Sequence, residues 1–146
     1  MKLFKIEDYV KLENPTPGEM HRPEILLSEH NAKALGGMLG LLPAGCQVPY
    51  HYHKNRESII IFISGEGIEI IEGEEFPVKA GDVLFIPAGE KHTTINRSNS
   101  DLRYLEFFTC PPVTADFFEV KEDHRYDKRS CKVGTDRNGR VVKRHR

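Results

Sequence analysis

The stretch Pro49-Tyr50-His51-Tyr52-His53-Lys54-Asn55-Arg56-Glu57-Ser58 sets two histidines one residue apart and follows them with a carboxylate. In extended backbone the side chains alternate, so His51 and His53 point to one side and Tyr52 to the other. Two imidazoles then converge. Neutral imidazole is a ligand for zinc, iron, nickel, copper and manganese, and a carboxylate such as Glu57 adds a hard anionic ligand that suits a Lewis-acidic or oxygen-activating ion. A further histidine, His92, stands just past the turn Pro87-Ala88-Gly89. A lone His-x-His pair is ordinary surface decoration; the spacing of all these groups together points to metal chemistry.

Such groups need a scaffold, and the chain around them reads as β-structure. Short apolar or alternating runs recur between Gly, Pro, Asn and Asp, and no window keeps helical periodicity over three turns. Strands are expected at residues 24–27, Leu35–Leu42, residues 58–63, 68–72 and 76–79, Val83–Ile86, residues 92–96 and Leu102–Thr109. The glycines of Leu35–Leu42 suggest bends or close backbone approach. The apolar run 58–63 reads as a strand buried on both faces, and Ser64-Gly65-Glu66-Gly67 as a turn, with the tight spacing implying hairpins. Regular short strands of this kind read as a sandwich or barrel.

With 146 residues, 38% of them apolar, 29% charged and a net charge of −1, the chain suits one globular domain and favours no polyanionic partner. It divides into an N-terminal strand and arm region (1–34), a barrel (35–118) and a charged C-terminal extension (119–146). The start, MKLFKIEDYV, lacks the apolar core of a secretory signal, and no stretch is long enough to span a membrane, so a cytoplasmic protein is expected. Cys46, Cys110 and Cys131 are odd in number and far apart, which predicts free thiols. The basic end of the chain, with a hairpin-prone Asn138-Gly139 pair, reads first as a solvated tail, and nucleic-acid binding through it is not favoured.

In its middle, from about residue 35 to 109, the chain resembles the cupin superfamily, whose two motifs read G-x5-HxH-x3,4-E-x6-G and G-x5-PxG-x2-H-x3-N. The second is matched by Gly81, Pro87, Gly89, His92 and Asn96; the first by Gly45, His51, His53 and Gly65, with fifteen residues between the motifs. The resemblance implies a cupin-type β-barrel, a double-stranded β-helix or jelly-roll, usually a homodimer. It implies a divalent transition metal, Fe, Mn, Zn, Ni or Cu, on His51, His53, Glu57 and His92. The carboxylate is the open position: Glu57 fits the count from His53, whereas counting back six from Gly65 lands on Ser58. A β-bulge between Glu57 and Gly65 would reconcile the two counts; otherwise Ser58 holds the ligand position and three histidines hold the metal.

Tyr50, Met38, Thr94, Tyr104 and Glu106 neighbour the ligands and are the candidate pocket walls. Alternation in Leu102–Thr109 groups Tyr104, Glu106 and Phe108 on one face and Arg103, Leu105 and Phe107 on the other. An inward Glu106 suits a general base, an inward Arg103 an anionic substrate. His21, His30, His124 and His145 lack such context and are expected in solvent. The resulting function is a metal-dependent enzyme acting on a small oxygenated substrate, as dioxygenase, isomerase, epimerase or lyase. The alternative is a non-catalytic cupin that binds a sugar or another small ligand.

Overall fold

A computed structural model of the chain describes residues 1–121 and Cys131. Its elements in chain order are α1 (Ile6–Val10), β1 (Glu24–Leu26), a single 3-10 turn (Ser28–His30), β2 (Leu35–Leu42), β3 (His51–Tyr52), β4 (Ser58–Ser64), β5 (Glu66–Ile71), β6 (Glu74–Lys79), β7 (Val83–Ile86), β8 (His92–Ile95), β9 (Leu102–Thr109) and β10 (Phe118–Glu119). They form two antiparallel five-stranded sheets, ordered β1-β2-β9-β4-β7 and β10-β3-β8-β5-β6. The all-β jelly-roll expectation holds.

The connections differ from the expected hairpins. β5 and β6 do pair as neighbours, but β4 pairs with β7 and β9, and β5 with β8. Ser64 and Glu66 are still in strands, so the expected four-residue turn shrinks to Gly65, where the chain crosses from one sheet to the other at a φ of 82°. A side chain there would strike the Asp101 carbonyl.

Period-two alternation fills the interior. Met38, Leu42, Ile60, Phe62, Ile86, Leu102, Tyr104 and Phe108 are buried together between the sheets. Gly36 and Gly40 of β2 lie opposite Phe108 and Tyr104 of β9, whose rings fold across them and occupy the space a Cβ would need. That close approach explains the glycines of β2. The other face of the same sheet is covered by α1, with Tyr9, Leu12, Leu39 and Leu105 buried against one another. β4 is therefore not buried on both faces: Ser58, Ile60 and Phe62 are, while Ile59 is 44% exposed.

Three further expectations are corrected. Cys46 and Cys131 are joined in a disulfide, with Cα atoms 5.3 Å apart, and Cys110 is the exposed free thiol. Spacing along the chain carried no sign that Cys131 returns to the barrel. His21 is fully buried, bridged through its backbone to Leu41. His30 accepts the Leu27 amide on its Nδ1 at 2.9 Å. His124, His145 and the Asn138-Gly139 pair lie outside the described residues. No helix among the described residues is long and apolar enough to cross a membrane.

Candidate metal centre

β3 and β8 bring the histidines together. They pair at His51 and His92, and alternation continued one residue past β3 puts His53 on the same side as His51. Ring centroids are 4.2 Å apart for His51 and His92, 4.9 Å for His51 and His53, and 5.3 Å for His53 and His92. One ligating atom from each lies within 4.8 Å of the others. All three rings are buried. Tyr52 points the other way and stacks on Phe118.

Each ring is held from behind by a backbone carbonyl. His51 Nδ1 is 2.5 Å from the Pro49 oxygen, His53 Nδ1 2.6 Å from that of Asp116, and His92 Nδ1 2.9 Å from that of Glu90. A carbonyl only accepts, so each Nδ1 carries the proton and each Nε2 presents a lone pair. Hydrogen bonds of this kind fix tautomer and orientation in metal-bound histidines. Protonation is also opposed. Burial, and then the neighbouring His92, hold the His51 pKa well below 6.5; burial lowers that of His53; and burial brings His92 down to about 4. Three neutral imidazoles with converging lone pairs fit a divalent first-row transition ion.

The three histidines open onto a small cavity of about 30 Å³. Its walls include Arg22, Met38, Arg56, Thr94, Tyr104, Glu106 and Phe117. Tyr104 and Glu106 of β9 thus face inward, while Arg103 faces outward, donating to the Leu12 carbonyl and lying near Asp101. Tyr50 does not line the cavity. It is buried beside Ile70, Ile95 and Val120, because its even position sends it to the face opposite His51. A larger cleft of about 450 Å³, lined by Glu66, Pro77, Lys79, Asp82 and Arg97, shares no residue with this cavity and, among the described residues, gathers no ligating cluster.

Glu57 is not brought to the histidines. It is exposed, and its backbone exchanges hydrogen bonds with the Thr109 side chain and amide. Ser58 is the inward residue, five places after His53 and seven before Gly65, as the motif's longer spacing requires. A bulge does exist, but between Phe62 and Ser64, and the register from Ser58 to Phe62 is regular, so it does not re-aim Glu57. The carboxyl on the cavity wall belongs instead to Glu106, which accepts a hydrogen bond from Ser58 Oγ at 3.0 Å. Burial raises the Glu106 pKa, against the opposing Ser58 hydrogen bond and the Arg56 and Arg22 charges.

The residues missed by sequence reasoning are Arg22, Arg56 and Phe117. Arg22 precedes β1, and its buried Nε makes no hydrogen bond. Neither it nor Phe117 sits in a periodic pattern or a motif.

Comparison with known proteins agrees with this geometry. The cupin domain family matches residues 38–108. An oxalate-binding protein of Thermotoga maritima is 37% identical over 90 residues, covering 60% of this chain and 74% of that one. The chain belongs to the cupin superfamily. Among solved cupin-like structures, a predicted oxalate decarboxylase of Thermotoga maritima superposes with a TM-score of 0.58 at 35% identity, over 64% of this chain and 83% of its own. A double-stranded β-helix protein of Klebsiella pneumoniae gives 0.66 at 21% identity, over 83% and 99%, and so speaks to the fold alone.

Proposed function

We propose that this cupin holds a divalent transition metal on His51, His53 and His92 and takes a short oxyanion, oxalate first among the candidates, against it. The observation that carries this reading is the size and charge of the cavity. At about 30 Å³ it is a small site, which favours a compact ligand that chelates the ion through two oxygens over a sugar ring. Arg22 supplies a cation on the wall with an unused buried donor, suited to a carboxylate. The oxalate-binding protein and the predicted oxalate decarboxylase structure of Thermotoga maritima to which the chain is similar support the same ligand.

A bound ion would supply Lewis-acid polarisation of the ligand oxygens. The chain's own part is separate. The Nδ1 hydrogen bonds keep the imidazoles aligned, Arg22 orients the anion, and Glu106, its carboxyl held by Ser58, is placed to hold or accept a proton at the ligand. With that proton group the protein is a metal-dependent enzyme; without turnover it is a binding protein, a reading favoured by Glu57 lying outside the site. Calorimetric titration of Mn(II)-loaded protein with oxalate, followed by assay for carbon dioxide, separates the two. Absence of oxalate binding to the loaded protein removes the ligand assignment.

The homodimer is part of the same proposal. Ile59 pairs across β4 and β7 with Phe85, and Ile61 with Val83; Phe85 and Val83 are 54% and 65% exposed on an edge strand. Such a strip is a natural surface for a second copy. Light scattering tests it, and a monomer at micromolar concentration would remove it.

A further inference from the structure

One wall of the histidine cavity comes from residues 110–117, the strap between β9 and β10. Val113 and Phe117 of the strap both line the cavity. The Phe117 ring stacks on His51, with centroids 4.4 Å apart and planes at 21°, and stands edge-on to His53 at 6.0 Å. An aromatic ring packed on a ligand ring leaves little height for anything bound beside it.

Glu24 accepts the Val113 amide of the strap at 3.3 Å, and two residues, Arg56 and Asp116, tie the strap to the ligand-bearing segment. The buried Arg56 guanidinium donates to the carbonyls of Cys110, Pro112, Val113 and Ala115, at 3.3, 2.8, 3.2 and 2.8 Å. The Asp116 carboxylate accepts the amides of Lys54, Asn55 and Arg56 at 2.8, 2.7 and 3.0 Å, and its own carbonyl accepts from His53 Nδ1. Asp116 does this at a φ of 53°, in the left-handed region where a non-glycine residue is uncommon and is kept only when its surroundings fix it. The strap is thus positioned by the residues directly after the His-x-His pair.

We propose that Phe117 is the specificity-determining residue of this pocket: it forms the wall that restricts the ligand to short anions, and Arg56 and Asp116 are the positioning residues that hold it there. The proposal rests on the metal-bound oxyanion reading above. Removing the ring opens space on the order of 100 Å³, comparable to an engineered cavity that admits benzene. Longer dicarboxylates then fit.

The test compares Mn(II)-loaded wild type, Phe117→Ala and Phe117→Leu in two ways: calorimetric titration with oxalate and glutarate, and the rate at which EDTA removes the metal. The wild type should bind oxalate and exclude glutarate. Phe117→Ala should admit glutarate and lose metal roughly tenfold faster, with Phe117→Leu between the two. The EDTA rate does not depend on what the natural ligand is. If the wild type ignores oxalate while Phe117→Ala speeds metal loss, the wall stands and the oxalate reading falls. An unchanged EDTA rate overturns the assignment, as does glutarate exclusion by a Phe117→Ala protein that still binds oxalate.

Discussion

Metal-free protein should lose stability on mild acidification, and His92 allows the size of the loss to be worked out. An imidazole at 6.5 in the unfolded chain and about 4 in the fold makes the unfolded state bind more protons throughout that interval. Stability is therefore full above about pH 6.5 and falls as the pH drops toward 4, by about 3 kcal/mol over the window. Between about pH 7 and about pH 4.5 the His92 share is about 2 kcal/mol. His51 and His53 are displaced in the same direction and add to it. Glu69 and Glu106, whose carboxyls are raised by burial, act with the opposite sign, so the wild-type curve alone does not isolate the histidine. The comparison with His92→Asn does. Urea unfolding of both apo proteins across this range should show the variant losing about 2 kcal/mol less than the wild type. Parallel pH profiles would refute the reasoning, because they would mean His92 is not held neutral by its surroundings.

Other outcomes follow from the same structure. Glu57→Ala should leave metal stoichiometry and affinity unchanged, since its side chain is exposed and only its backbone is engaged; isothermal titration with Mn(II) checks this, and a large loss of affinity would restore Glu57 as a ligand. Reducing the Cys46–Cys131 disulfide, which closes a loop with a sequence separation of 85, should destabilise the protein by about 4.6 kcal/mol on the chain-entropy relation, or roughly 15 °C in melting temperature. Calorimetry with and without reductant measures that difference. Arg56→Met should loosen the strap, because four carbonyls lose their donor while the Asp116 contacts remain, and should be read as faster proteolysis within residues 110–117 at a global cost of about 3 kcal/mol.

How far the sequence reached depended on whether the relevant geometry is local. His51 and His53 share a side because alternation is a property of neighbouring residues, and the Gly, Pro and His spacing around His92 repeats a family pattern. The strands β2, β7 and β9 were bounded correctly for the same reason. Glu57 against Ser58 turned on the register of β4 with β9, a long-range pairing, and the bulge that exists lies too late in the strand to alter it. Pairing of β4 with β7 rather than β5 is likewise not a local property. The helix α1 has five residues, too few to show a period. Arg22 and Phe117 reach the cavity from segments before and after the regular strands, and Cys131 reaches Cys46 from the charged extension. Nothing in composition or spacing marks such returns. Alternation groups Glu106 with Tyr104 and Phe108, but which face of β9 looks inward is fixed by the pairing of β9 with β2 and β4.

Metal content bears most directly on the central claim. Protein reconstituted with Mn(II), Fe(II), Co(II) or Zn(II) and freed of excess ion should carry close to one ion per chain by elemental analysis. That ion should be lost from His51→Ala and from His92→Ala while both variants keep the wild-type circular dichroism. A wild-type protein that retains none of these metals, or histidine variants that retain them in full, would contradict it.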